Sequence, residues 1–309
     1  MDATKETFRR AIQERLAVSD PERLVEQLSG FIRRIVEKEG RTGCVLGNSG
    51  GLDSALVAAI AVHALGKENV RLFFLPERDT SRKSRPDAFL AAKWLGIKMK
   101  VINIRPILHM AGVYRLEPPA NIAPRFGVEL YVRAKRRKLE AENGSVLLRM
   151  LRGGGGNPEI QRHMAYYGTK NRVRMAVLFL QAEKNNCLVL GTCNRSEKMT
   201  GLFVKHGDGA CDLNPLDKLY KTQVFELARH MGLPHKIIEK KPIGDLAPGL
   251  TDEDSLKLDY PRLDWILAGL ELGLQDEMII KDGITQSDID YIKDLIAASE
   301  SMRQSHYTP

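Results

Sequence analysis

Gly47-Asn48-Ser49-Gly50-Gly51-Leu52-Asp53-Ser54 lies between an apolar run, Cys44 to Gly47, and a stretch of helical periodicity, Asp53 to Leu65, marked by Leu56, Val57, Ile60 and Ala64. The pattern predicts a strand, a glycine turn and a helix. Such a turn gathers free backbone N–H groups and the positive end of the helix at one spot, where an anion belongs. Two glycines let the backbone wrap closely around phosphate oxygens, Ser49 and Ser54 add hydroxyl donors, and Asp53 has the chemistry to hold the Mg2+ that travels with ATP. Gly47, Asn48, Ser49, Gly50, Gly51, Leu52, Asp53 and Ser54 are therefore the candidate nucleotide-binding residues. The turn lacks the Gly-Lys-Ser/Thr ending of a Walker A loop. Its plainer alternative is a glycine turn whose Ser and Asp only cap the helix.

Working outward, Leu24, Leu28, Phe31, Ile32 and Ile35 give an amphipathic helix over 24–37. Downstream, a strand at 70–75, a helix at 85–95 and a strand at 99–104 continue the alternation, the strands being short apolar runs of the kind buried on both faces of a parallel sheet. A helix at 171–183, a strand at 187–191 and a helix at 220–230 follow, and the chain from Thr251 to Ser301 is helical and acidic. The fold class is α/β, a doubly wound parallel sheet with flanking helices, whose ligands sit outside the carboxyl ends of the strands. Residues 1–40 form an N-terminal helical segment and 41–309 the main domain. Within it, 105–170 is too long for a crossover loop and reads as an insertion before the fourth crossover, with Pro118-Pro119, a basic run and the glycines 153–156, the last expected to be flexible. No internal repeat is present.

A chain of 309 residues with 43% hydrophobic content can bury one large core or two modest ones. Without an apolar run of membrane-spanning length or a secretion signal at Met1 to Glu14, the expected location is the cytoplasm. Cys44, Cys187, Cys193 and Cys211 have neither C-x-x-C spacing nor neighbouring histidines, which excludes zinc and a disulfide framework; the first two read as core, the others as inert loop thiols. The net charge of +8 points to an anionic partner, small phosphates or nucleic acid. Much of the excess sits in 131–152, where Arg133, Lys135, Arg136, Arg137, Lys138, Arg149 and Arg152 face only Glu140 and Glu142. That run reads as a lid, a dimer surface or a solvated helix face rather than a nucleic-acid contact.

The S-G-G-x-D-S turn resembles the signature of the ATP pyrophosphatases, or N-type family, an adenine nucleotide alpha hydrolase-like fold. Further residues narrow the likeness: Leu188 to Glu197, Thr200-Gly201, Lys205 to Leu216 and Leu219 to Val224, with Arg172 to Met175 upstream and Asp245-Leu246 and Thr251 to Asp254 downstream. Pro76, Ser81, Ser84 and Asp87 keep the same spacing after the second strand. Over nearly the whole chain outside the N-terminal helix and the insertion, these resemble the ammonia-dependent NAD synthetases.

The resemblance implies ATP-dependent amidation of deamido-NAD to NAD. A nicotinate carboxylate attacks the α-phosphate, pyrophosphate leaves, and ammonia displaces AMP from the acyl-adenylate. By position, Asp53 and Glu197 match the Mg2+ ligands, Thr192 a nucleotide contact, Lys221 an ATP-phosphate lysine, and Arg172, Lys205 and Asp212 the dinucleotide site. Asp208 is the candidate for binding ammonium and helping to deprotonate it, which makes Asp53, Glu197, Lys221 and Asp208 the catalytic set. A homodimer is implied by analogy. About forty residues precede the turn, too few for a glutaminase, so ammonia is expected free or from a separate partner. Three departures stand out: Ile243-Gly244 where a hydroxyl residue is usual, a tail at 301–306 without a His-Lys pair although Arg303 is available, and the insertion. They keep open a related ligase that activates a different carboxylate. A transfer RNA sulfur transferase is a more distant alternative, which paired catalytic cysteines or an RNA-binding module would mark.

Overall fold

β1 (Gly43–Gly47) explains the layering, because its successive side chains enter different cores. Cys44 and Leu46 pack with the helices on one face of the sheet, while Val45 joins a second cluster on the other. The two-residue period of a strand produces this division, and burial on both faces demands the unbroken apolar run seen in the sequence. In the computed structural model, residues 2–117, 144–242, 251–304 and 306–307 are described, with isolated positions 134, 137 and 140.

α1 (Asp2–Leu16) and α2 (Pro21–Lys38) precede β1; α3 (Leu52–Leu65), β2 (Val70–Phe74), α4 (Ser84–Trp94), β3 (Lys100–Val101) and α5 (Arg105–Met110) follow it. Next come α6 (Val146–Leu151), α7 (Pro158–Lys184), β4 (Cys187–Val189), α8 (Arg195–Thr200), α9 (Lys221–His230) and α10 (His235–Ile238). After residues 243–250 the chain forms α11 (Asp252–Leu256), α12 (Tyr260–Glu271), α13 (Asp276–Ile279), α14 (Gln286–Ala298) and α15 (Glu300–Arg303). The strands form one parallel sheet in the order β3-β2-β1-β4, with Cys44 opposite Val70 and Leu188, which bears out the doubly wound α/β reading.

α3 packs between the sheet and α2 and α9, and its Leu56, Val57, Ala58, Ile60 and Ala61 are fully buried. Each of its larger side chains contributes about 1.5–3 kcal/mol by leaving water. α2 starts where Asp20 accepts the Arg23 N–H at 2.9 Å ahead of Pro21. On the opposite face α7 lies along β1 and β4. A third cluster joins α12, α13 and α14, and Ile12 of α1 is fully buried within it.

Two expected elements differ in extent. α7 begins at Pro158 rather than at 171, because Asn157 caps it by accepting N–H groups from Glu159 and Ile160. The glycines 153–156 form a tight turn before that cap, each with positive φ. The strand expected at 99–104 pairs as a strand at Lys100 and Val101, both exposed, since it forms the sheet edge and no further strand among the described residues covers it. Backbone bonds from Ile102 to Phe74 O and from Ile104 to Pro76 O, each 3.0 Å, extend the contact. Of the expected insertion, 118–143 lies outside the described residues apart from the three isolated positions, and so does most of the basic run. No helix among the described residues is long and apolar enough to cross a membrane.

The turn after β1 combines a positive φ with close approach to neighbouring backbone. Gly50 has φ +77°, and a Cβ there would lie 2.5 Å from Ser84 O and 2.8 Å from Ala88 N. Gly40 also has positive φ, +62°, but nothing lies within 4 Å of its Cβ position. Gly40→Ala is therefore expected to cost about 1–2 kcal/mol of stability, the left-handed penalty alone, and Gly50→Ala distinctly more, because the atoms it meets are backbone. Urea unfolding of the two variants against the parent checks the order; equal losses would contradict it.

Candidate functional site

The turn is built mainly by its own side chains. Asn48 donates to Ala88 O at 3.0 Å and accepts the Gly50 N–H at 3.1 Å, which ties the turn to α4. Ser49 and Ser54 hydroxyls lie 3.1 Å apart, Ser49 Oγ accepts the Gly51 N–H, and Ser54 Oγ donates to Gly51 O. Lys240 donates to Gly50 O at 3.1 Å and pairs with Asp87 of α4 at 3.1 Å. Gly51 precedes α3 without side-chain capping, so the positive end of that helix faces the turn. Gly47 and Leu52 bracket it as strand end and buried helix start.

Beside this helix start three segments converge. Asp53 comes from the first turn of α3, Glu197 from α8 and Lys221 from the start of α9. Lys221 Nζ is 1% exposed, donates to Asp53 Oδ2 and lies 4.0 Å from Glu197 Oε1. Asn194 joins the carboxylates: its side chain donates to Asp53 Oδ1 at 2.9 Å and accepts the Glu197 N–H at 3.0 Å, while its own N–H reaches Glu197 Oε2. Burial, then the Asp53 charge, pushes the Glu197 carboxyl well above its usual range, against the pull of Lys221. Burial opposes the charge on Lys221, but Asp53 and then Glu197 outweigh it and hold the ammonium above its usual range. Two carboxylates around one cation leave the centre short of positive charge, a donor set that suits a hard divalent ion sharing phosphate oxygens. Among the described residues no cluster of three or more His, Cys, Asp or Glu ligands is present.

The remaining candidates lie along the adjoining loop. Asp208 accepts N–H groups from Val204 at 2.9 Å and from the Asn171 side chain at 3.2 Å, and burial raises it to about 6. Cys193 lies between it and the central pair, donating to Asp208 O, with its thiol pushed well up by burial. Thr192 is half-buried on the segment leaving β4. Arg172 donates to Lys205 O, and Lys205 donates to Ser301 O at 2.8 Å, so these two cations share one neighbourhood. Asp212 accepts the Val189 N–H at 2.7 Å, extending β4. Arg303 donates to Met199 O and Ile296 O, which commits it to its own chain. Ile243 and Gly244 lie outside the described residues.

Several residues escaped the sequence reading. Asn194 and Lys240 carried no signal beyond their neighbourhood, because their partners are 141 and 190 positions away. Asp252 accepts the Tyr260 hydroxyl at 3.1 Å and adds to the negative field on Lys221. At the exit of β2, Lys170 of α7 bridges Glu77 and Asp79 at 3.1 and 2.8 Å, while the Arg78 guanidinium lies 4.4 Å from the Tyr114 ring centroid and 5.9 Å from that of Tyr166. This network joins the strand end to the long helix.

With this geometry in view, the comparisons are specific. The model of the NAD synthase family matches residues 24–125 and 155–306. The chain is 42% identical over 281 residues to the NH(3)-dependent NAD(+) synthetase of Thermotoga neapolitana, which covers 90% of this chain and 93% of that protein. In fold it is similar to an NMN synthetase from Francisella tularensis (TM-score 0.69, 24% identity, 94% of this chain and 98% of that one). It is likewise similar to an NH3-dependent NAD synthetase from Campylobacter jejuni (TM-score 0.66, 24% identity, 94% and 100%).

Removing the central cation gives a test of the electrostatics that needs no substrate. Lys221→Met leaves two largely enclosed carboxylates, each 16% exposed, without their cation and is expected to cost about 3–5 kcal/mol at neutral pH. Without the lysine the Glu197 carboxyl, already raised by burial and by the Asp53 charge, is raised further, so the deficit is full where Glu197 is ionised and shrinks as pH falls from neutral into the acid range and it takes up a proton. Urea unfolding at both ends of that window measures it, and a deficit independent of pH would refute the assignment.

Proposed function

The chain belongs to the NAD synthase family, and from that premise we infer that it amidates deamido-NAD to NAD with ammonia, splitting ATP into AMP and pyrophosphate. The observation that carries the site assignment is the meeting of Asp53, Glu197 and Lys221 beside the amino end of α3. We propose that the turn from Gly47 to Ser54 receives the phosphates through backbone N–H groups, with Ser49 and Ser54 adding hydroxyls. Lys221, rigid and fully charged, faces the α-phosphate side, where negative charge builds as the nicotinate oxygen bonds to phosphorus and the bond to the leaving pyrophosphate breaks.

Asp53 and Glu197 would hold Mg2+; when bound, it supplies positive charge to phosphate oxygens. The raised pKa of Glu197 supports this, because the pair is short of a cation without it. Arg172 and Lys205 offer two cations for the dinucleotide phosphates, and Thr192 a nucleotide contact. Asp212, its carboxylate engaged by β4, shapes the floor of that site. Asp208, raised to about 6, suits a group that accepts a proton from ammonium near neutral pH. Ammonia then adds to the activated carbonyl carbon, and the carbonyl–oxygen bond to AMP breaks. We further propose a cytoplasmic homodimer; the exposed Ile107 and Met110 on α5 and Leu180 on α7, two helices that pack together, support a covered face.

The test is an incubation of the purified chain with ATP, MgCl2, ammonium and deamido-NAD. NAD, AMP and pyrophosphate are expected in equal amounts, with no ADP, and EDTA should stop the reaction. Asp53→Asn is expected to lower kcat by about 100-fold or more. The mononucleotide counterpart of deamido-NAD, offered separately, should react poorly; a preference for it would reassign the acceptor. ATP cleavage with neither acceptor amidated would refute the reading.

A further inference from the structure

Asp264 lies on α12, is fully buried, and reaches two catalytic segments at once. Its Oδ2 accepts the Thr222 N–H at 2.8 Å, one residue after Lys221. Its Oδ1 accepts the Ser196 hydroxyl, one residue before Glu197. The Ser196 oxygen in turn accepts the Lys221 N–H at 2.9 Å. One carboxylate thus fastens the start of α8, through the Ser196 hydroxyl, to the backbone at the start of α9.

This linkage answers a local need. α9 begins after Tyr220, whose phenol goes to Glu271; Gln223 Oε1 accepts the Tyr220 N–H at 3.0 Å, while the N–H groups of Lys221 and Thr222 find their acceptors far away in the chain. Asp264 and Ser196 supply them from 42 and 25 positions away. A buried anion at a helix start is favoured by the helix dipole. Burial pushes the Asp264 carboxyl up to about 6, opposed by the bonds from Ser196 and Thr222 and by the charge of Lys221.

We propose that Asp264, acting through Ser196, is the positioning residue that sets the separation of Glu197 and Lys221. It touches no reactant. Its side chain fixes the two backbones from which those groups project, so an ångström of slack there moves the lysine relative to the phosphate and the carboxylate relative to its cation. Misplacement on that scale costs up to about 100-fold in rate. The inference rests on the proposed synthetase activity, and the parent assay tests that premise separately.

Asp264→Asn keeps the shape but replaces one acceptor by a donor. Steady-state kinetics are compared with the parent at a temperature where unfolding scans show both fully folded. A parent that forms no NAD refutes the functional reading and leaves the ratio undefined; a parent that does allows the ratio to test Asp264. The expected result is a kcat about 10–100-fold lower, with the KM for deamido-NAD and for ammonium within about twofold. Ser196→Ala, which removes only the bridge, should lower kcat by a smaller factor. The double variant should be no worse than Asp264→Asn alone, since both act through one link. A folded Asp264→Asn with parental kcat would overturn the proposal, as would a loss confined to KM. Should Asp264→Asn not fold, Ser196→Ala decides: parental kcat in that variant overturns the proposal, and a fall in kcat at constant KM supports it.

Discussion

One buried ammonium holding two carboxylates is the interaction on which the rest of the molecule depends. Lys221 is closed off from water, and Asp53 and Glu197 are delivered by segments that are far apart in the chain. A charge in that position is tolerated only because its partners are fixed, and the partners keep their place only because the lysine offsets their repulsion. The surrounding polar contacts serve that balance. Asn194 spaces the carboxylates with its amide, donating to one and accepting from the backbone of the other.

The sheet contributes direction rather than chemistry. β1 and β4 are neighbours, so the turn after β1 and the segment after β4 open on the same edge, where parallel strands present their carboxyl ends. β2 lies on the other side of β1, and its exit is locked to α7 by Lys170 between Glu77 and Asp79. Lys240, just after α10, braces the turn after β1 together with Asp87 of α4, to which Lys236 of α10 also pairs at 3.0 Å. The backbone of the turn after β1 is therefore held by packed elements on several sides, the condition for a site whose dipoles need little reorganisation when charge arrives.

How much of this was legible in the sequence follows from how local each feature is. The glycine turn could be read because strand, break and helix succeed one another within about twenty residues, and because Gly50 must hold a positive φ against α4. Glu197 and Lys221 were found by likeness, not by periodicity. The start of α7 was missed because the glycines before Asn157 read as a loop, although Asn-Pro is itself a helix-start signal. The third strand was overextended because an apolar run looks the same at a sheet edge as at its centre. Asp264, Asn194 and Lys240 were invisible for a physical reason: an isolated polar residue acquires its role from partners brought to it by folding. Arg303 illustrates the converse, a charge available for a ligand by sequence that the fold spends on two carbonyls.

A centre of this kind is not at its most stable when empty. Two carboxylates with one ammonium, and N–H groups without a side-chain cap at the start of α3, are each unfavourable for the isolated chain. Stability must therefore come from elsewhere, and the three apolar clusters on both faces of the sheet and among the C-terminal helices provide it. A ligand that binds only the folded chain adds RT ln(1 + [L]/Kd) to its stability. The features that cost the fold stability are thus concentrated at the mouth of the sheet, beside the amino end of α3.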